Sequence, residues 1–446
     1  MYKWPFTKRN MKKLNFILII LLAAFVQNAA AQEKLTLQQA ITIALQNNYD
    51  IKLVNNDLQI AKNNTNIGNA GFLPGVTGSF ATDGSRQNTV QTTSTGAERV
   101  ADGVRNTSMN YGVALDWTIF DGFKMFATYD KLKELQKQGE VNAKAAILTT
   151  IADVINSYYA VVKQQQLVVA NDSALDISRF RLTIADNKLQ LGKGSKLDVL
   201  AAQVDYNTDT SAYLQQKNLL QTSMITLNQV MARAIDTKFT AEEDMDIDYK
   251  LNYTLLQEQT LQLNPDLQNA FINKKVAELS LKEVKGQRYP VVGVNGGYAF
   301  SRSANPTGFN QKFRGQGISY GLTASMNIFN GFLQRQNERN AKVQINSSEV
   351  ELEKTKQTIN AQLLTAFENY KTSLDLLKVE TKNVDIAKQN LDITLAKYRL
   401  GSIAPLELRE AQRNAINAIT RFLDAQYQAK LTEISLKEIS GTLNIQ

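Results

Sequence analysis

The chain has 446 residues, 43% of them apolar and 21% charged, and contains neither cysteine nor histidine. These two absences exclude a disulfide framework, a thiolate nucleophile, a Cys/His zinc site and a Ser-His-Asp triad. The formal charge of +8 falls to +3 once the five bases of residues 1–31 are set aside, so the balance makes no case for nucleic-acid binding.

Those first residues read as a secretory signal. Lys3, Lys8, Arg9, Lys12 and Lys13 precede the apolar run Phe16–Val26, and Ala29-Ala30-Ala31 follows it. Basic, apolar and small residues in that order predict cleavage after Ala31 and export. The apolar run is too short to span a bilayer as a helix.

Beyond residue 31 the chain carries one plan twice. A first repeat covers 32–235, an acidic linker 236–253, and a second repeat 254–446. An offset of 216 pairs Asn48 with Asn264 and Pro74 with Pro290, and an offset of 209 pairs Gly122 with Gly331 and Gly192 with Gly401. Two copies this long are a duplication, not a solenoid array.

Each repeat opens with a predicted helix, about 35–70 and about 254–287, ended by Pro74 or Pro290. A β-hairpin is expected next, at about 72–121 and about 289–330. Met109, Tyr111, Val113, Leu115, Trp117 and Ile119 alternate with small or polar residues, as do Ile318, Tyr320, Leu322 and Met326. That period predicts strands of about ten residues with one apolar and one polar face. The segments 83–107 and 301–316 read as polar loops between them.

A long helical hairpin completes each repeat, at 122–233 and 331–440. Leu148, Ile151, Ile155, Tyr158 and Val162 keep helical spacing, and so do Ile359, Leu363, Ala366, Tyr370 and Leu377. Helices of almost 70 residues would each reach on the order of 100 Å. The returns fall at Leu191-Gly192 and Leu400-Gly401.

Strands of this length, apolar on one face, suit either an outer-membrane barrel or a soluble antiparallel sheet. Export favours the barrel. Four strands cannot close a barrel alone, and open edges are not tolerated in lipid. Closure therefore demands several copies.

The signal, the duplicated helix–hairpin–long-helix order and the turn KLQLGKGSKLDVLAAQ with its echo KYRLGSIAPLELREAQ resemble the TolC family of outer-membrane efflux proteins. The resemblance covers essentially the whole mature chain. It implies a mainly α fold with a transmembrane β part. A homotrimer would form a 12-stranded barrel in the outer-membrane lipid, continuous with a 12-helix periplasmic α-barrel. It also implies a Gram-negative outer-membrane tunnel for efflux or type I secretion, without enzymatic activity or cofactor. Its partners would be a periplasmic adaptor and an inner-membrane pump of RND or ABC type, with no nucleic acid.

By the same resemblance the adaptor docks on the tips, here Leu191, Gly192, Lys193, Gly194 and Ser195, and Leu400, Gly401, Ser402, Ile403 and Ala404. The glycines alone would equally suit a tight reversal. At the gated entrance the family's tyrosine and aspartate match Tyr398 and Asp198, whereas its latch arginine falls on Ile403 and its hydroxyl partner on Leu197. The family's acidic ring matches Glu407 and Glu410; apart from the resemblance, that pair is a solvated helix face.

Three other readings fail or compete. Asp244, Asp246 and Asp248 resemble the start of an EF-hand loop, but Tyr249 and Leu255 stand where Gly and Glu are needed, so the segment reads as a solvated connector. Gly192–Lys196 lacks the upstream glycine of a phosphate loop. An exported structural or adhesive coiled-coil protein without a pore is the rival class.

Overall fold

A computed structural model describes residues 33–307 and 311–443; the signal segment 1–31 lies outside them. In chain order the elements are β1 (Glu33–Leu35), α1 (Leu37–Asn47), α2 (Tyr49–Asn64), β2 (Gly75–Thr92), β3 (Glu98–Phe120), α3 (Lys124–Gln190) and α4 (Lys196–Val230). The second half supplies β4 (Phe239–Ala241), α5 (Tyr253–Leu263), α6 (Pro265–Gly286), β5 (Val291–Ala304), β6 (Lys312–Ser325), α7 (Leu333–Arg399) and α8 (Pro405–Ile439). The described residues divide into two units, one made of 33–52, 146–260 and 361–443, the other of 53–145, 261–307 and 311–360.

The duplication is visible in lengths. Helices α3 and α7 each have 67 residues, and α4 and α8 each have 35. In the first unit Leu148, Ile151, Ile155, Tyr158 and Val162 of α3 are buried in one cluster with Leu227, Met231 and Phe239. Burying each such side chain contributes about 1.5–3 kcal/mol, which explains why the apolar residues keep to one stripe. Leu363, Ala366 and Tyr370 of α7 bury against Leu256 and Leu436 in the equivalent way.

The opening helices are not continuous. Each breaks at an asparagine, Asn48 or Asn264, whose Oδ1 accepts two backbone N–H groups of the next turn, from Asp50 and Ile51 or from Asp266 and Leu267. An asparagine that satisfies orphan donors starts a new helix, and Pro265 at its first position suits the break.

The segment 236–253 is also not a solvated connector. Phe239, Ala241, Met245 and Ile247 are buried, and β4 pairs in parallel with β1. The Tyr158 hydroxyl fastens this pair: it donates to the Leu35 carbonyl at 2.9 Å and accepts the Glu242 N–H at 2.9 Å. The apolar residues among the acids provide the burial.

The second unit holds an antiparallel sheet in the order β2-β3-β5-β6. Its strands run to 18, 23, 14 and 14 residues, longer than the expected ten. Most of 83–107 and 301–316 is strand and not loop, because a ladder is satisfied by backbone bonds and tolerates polar side chains where neither face is packed. The last alternating run stops short, with β6 ending at Ser325. The two hairpins share one register, with Gly75 opposite Asp116 and Val291 opposite Ser325, positions equivalent under the repeat.

At the strand-to-helix corners Gly122 and Phe123, and Gly331 and Phe332, all have positive φ, between 64° and 75°. A left-handed phenylalanine costs about 1–2 kcal/mol. Phe123 offsets this by packing edge-on to Phe120 and Tyr289. A side chain at residue 122 would collide with the Gly286 backbone, so glycine is required there. Asp121 and Asn330 then cap the long helices by accepting the N–H groups of Met125 and Gln334 at 3.1 and 3.3 Å.

Candidate functional site: helical tips and the polar node behind them

All the entrance candidates belong to the first unit, at the ends of α3, α4, α7 and α8. The two returns are built alike. Gly192 and Gly401 take positive φ, 68° and 74°. The N–H groups of Lys193 and Ser402 bond back to the carbonyls of Lys188 and Lys397, at 2.8 and 3.1 Å, closing each long helix with a glycine left-handed cap. Leu191, Leu197, Leu400 and Leu406 are 71–84% exposed around these turns. Lys193, Ser195 and Ala404 are exposed beside them, while Gly194 and Ile403 are half-buried.

Asp198 caps its own helix. Its carboxylate accepts the Ser195 N–H at 3.1 Å and the Ser195 hydroxyl at 2.8 Å, while the Asp198 N–H donates to Ser195 Oγ at 3.1 Å. These bonds from Ser195 hold the carboxyl below its usual range, aided by the charge of Lys188. Tyr398 is buried, and burial pushes its phenol up, against the pull of Arg181. Among the described residues no hydrogen bond joins Asp198 to Tyr398.

Glu407 and Glu410, three apart on α8, make different contacts. Glu407 Oε1 accepts the Ala404 N–H at the start of α8, a long contact of 3.5 Å. Glu410 lies 3.9 Å from Arg413, and both glutamates are exposed.

Behind the tips lies a buried polar node that the sequence pattern did not show. Arg409 of α8 donates to Asp209 of α4 at 2.6 Å and reaches Asp205 at 3.3 Å. Arg181 of α3 pairs with the same Asp205 at 2.9 Å. The fully buried Gln412 donates to Asp209 at 3.0 Å, to Ser178 Oγ at 3.1 Å and to the Ala174 carbonyl at 2.8 Å. Ser178 also donates to Asp209. Two arginines and two aspartates balance in charge, so the node joins three helices without an uncompensated ion. The only sequence hint was Ala411-Gln412, which echoes Ala202-Gln203.

Comparisons with known proteins agree with this architecture. The profile of the outer membrane efflux protein family matches residues 40–233 and 256–442. The toluene efflux pump outer membrane protein TtgC of Pseudomonas putida is 22% identical over 411 residues, 91% of this chain and 82% of its own. Outer membrane protein TolC of Escherichia coli is 20% identical over 358 residues, 78% of this chain and 72% of its own. The outer membrane channel CmeC of Campylobacter jejuni has the same fold, with a TM-score of 0.73 at 20% identity, covering 91% of this chain and 85% of that one. The family is one of channels that work with periplasmic adaptors and inner-membrane pumps, not one of enzymes. With both of its repeats matched, the chain belongs to the outer membrane efflux protein family and is a channel of the Gram-negative outer membrane that extends into the periplasm and serves efflux or secretion.

Proposed function

We propose that three copies of this chain close a twelve-stranded barrel in the outer membrane and a twelve-helix tunnel in the periplasm. The observation that carries this reading is the four-stranded sheet with open edges at β2 and β6 and an exposed apolar face. Lipid does not tolerate open edges, and the β6 edge of one copy is complementary to the β2 edge of the next. Substrates pass passively, and the energy comes from an RND or ABC pump in the inner membrane. The adaptor docks on the tips Leu191–Ser195 and Leu400–Ala404, where exposed Leu191 and Leu400, with Leu197 and Leu406 just beyond, support an apolar contact. The entrance opens when the tips swing apart, and Asp198, Tyr398, Glu407 and Glu410 line that end.

Disulfide trapping tests the closure. Carrying the repeat offsets through the β3–β5 register, in which Val113 faces Tyr298, places Leu322 of one copy opposite Thr82 of the next. The chain has no cysteine, so Thr82→Cys/Leu322→Cys is a clean pair, and Cα atoms facing across a ladder lie within disulfide reach, about 4.5–5.5 Å apart. Oxidised outer membranes should yield linked dimers and trimers and nothing larger. A ladder that stops at dimers, or continues past trimers, overturns the trimer.

A further inference from the structure

The apolar face of the sheet changes character within one rung. Phe80, Tyr111 and Phe300 lie side by side across β2, β3 and β5, and the rings of Tyr111 and Phe300 stack at 4.8 Å. On the same face, the next rung toward the hairpin turns sets Arg302 directly opposite Arg314. Lys312 stands one rung further, and Arg86 faces Arg105 one rung beyond that. These rungs carry no carboxylate. Asp83 lies on the opposite face, where it accepts the Ser108 hydroxyl at 3.4 Å. Among the described residues, none of the five cations has a carboxylate partner.

Like charges directly opposite on neighbouring strands destabilise a sheet, and this face does it twice. A fold that keeps two arginine pairs without an internal counter-charge relies on an anion from outside. The first pair also borders a pocket of about 350 Å³, floored by Tyr111 and Phe300 and walled by Arg302, Arg314 and Gln316. The other ends of these strands lead into the long helices, so in the barrel and tunnel proposed above, on which this inference rests, the arginines stand at the outer surface of the membrane. Aromatic side chains mark the interface of a membrane barrel, which puts the arginines just beyond the aromatic row at headgroup depth.

We propose that this pocket binds the phosphorylated glycolipid headgroup of the outer leaflet. Arg302 and Arg314 hold the phosphate through paired N–H donors. Tyr111 and Phe300 receive the sugar face, and the apolar strip below accompanies the acyl chains. A soluble anion would gain nothing from that aromatic floor or from the apolar strip, which is why a lipid is the occupant. Lys312 and the Arg86/Arg105 pair extend the charge to a second phosphate.

Native mass spectrometry of the purified full-length channel in detergent tests the assignment, with bis-phosphorylated lipid A, dephosphorylated lipid A and inorganic phosphate as probes. The phosphorylated lipid should bind saturably, and the dephosphorylated one at least about tenfold more weakly. Arg302→Gln/Arg314→Gln should weaken the phosphorylated lipid about thirtyfold, since each base near a charged lipid surface contributes about 1 kcal/mol. Lys354→Gln, on helix α7, should change nothing. Equal binding of the two lipids, or wild-type affinity in the double variant, overturns the site. Saturable inorganic phosphate with no preference for the lipid overturns it as well. If the double variant fails to fold, the two lipids compared on the wild-type protein still decide. Single-channel conductance in phosphatidylcholine bilayers should be unaltered in the variant, so loss of lipid binding is read separately from loss of the channel.

Discussion

Arg409 and Asp209 meet at 2.6 Å although 200 residues separate them, and their contact joins the second helical hairpin to the first. Both side chains are nearly buried, at 13% and 10% exposure. Removing one partner of such a pair leaves the other charge uncompensated, at a cost of about 3–5 kcal/mol. Arg409→Leu should therefore lower the stability of the channel by that order in chemical unfolding and raise its conductance in planar bilayers. Arg409→Leu/Asp209→Leu should recover much of the lost stability, because no lone ion remains. Equal stability of the single and double variants would show that the pair does not act as a unit.

The cap at Ser195 and Asp198 makes a second prediction. Bonds from Ser195 depress the Asp198 carboxyl relative to the unfolded chain. A depressed carboxyl stabilises above its unfolded pKa and loses that contribution as the pH falls through the folded value. Amide exchange in the first turn of α4 should therefore quicken, relative to the rest of the helix, as the pH drops below the usual aspartate range of about 4. Ser195→Ala should quicken it about fivefold already at neutral pH, and should remove the acid-dependent step.

At high pH the sign reverses. Burial, aided by Tyr158 and Glu433, pushes Tyr159 up from 10.0 to about 12. A raised phenol stabilises fully below its unfolded pKa, and this contribution is lost as the pH rises through the folded one. The melting temperature should fall between pH 10 and pH 12, the interval set by these two values. Tyr159→Phe should flatten that fall, since phenylalanine fills the same space with nothing to ionise.

Tyr158→Phe isolates a different quantity. Loss of the hydroxyl removes both 2.9 Å bonds and leaves the Leu35 carbonyl and the Glu242 N–H with their 3.3 Å bond to each other. A net hydrogen bond contributes about 0.5–1.5 kcal/mol, so the loss of two should make the variant unfold earlier in urea by about 1–3 kcal/mol. Thr149→Val, which removes a hydrogen bond at an exposed position with Glu438, should cost less.

The repeat and its long helices were legible because a seam spaced by three and four residues over nearly 70 positions has no competing reading. The strands were legible only where their outward side chains are apolar. Beyond Thr82 and Ser301 the ladder continues through Asp83, Arg86 and Arg302, residues that a local pattern assigns to loops. The helix breaks at Asn48 and Asn264 were written as matching Asn-x-Asp triplets, a cap signal hidden inside an otherwise helical period. Least visible was the node behind the tips. Asp205 and Asp209, four apart on α4, have the spacing of a solvated face, and so do Arg409 and Gln412 on α8. Only the apposition of the helices turns two ordinary surfaces into one buried network.

The shared register of the two hairpins has a consequence for assembly. Inside one chain, β3 of the first repeat pairs with β5 of the second. In the proposed barrel, β6 of the second repeat pairs with β2 of the neighbour's first, which is the same joint one step further round. The ring then has sixfold pseudosymmetry beneath its threefold symmetry, with every repeat meeting its two neighbours through equivalent seams. A chain of half the length, holding one hairpin and one pair of long helices, carries all the edges such a ring needs, and six copies of it would close where three copies of the duplicated chain do. Duplication adds no new kind of contact. It removes half of the free ends and lets the two tips diverge, as the node of Arg409 and Asp209, which has no counterpart at the equivalent positions Leu200 and Ala418, already does.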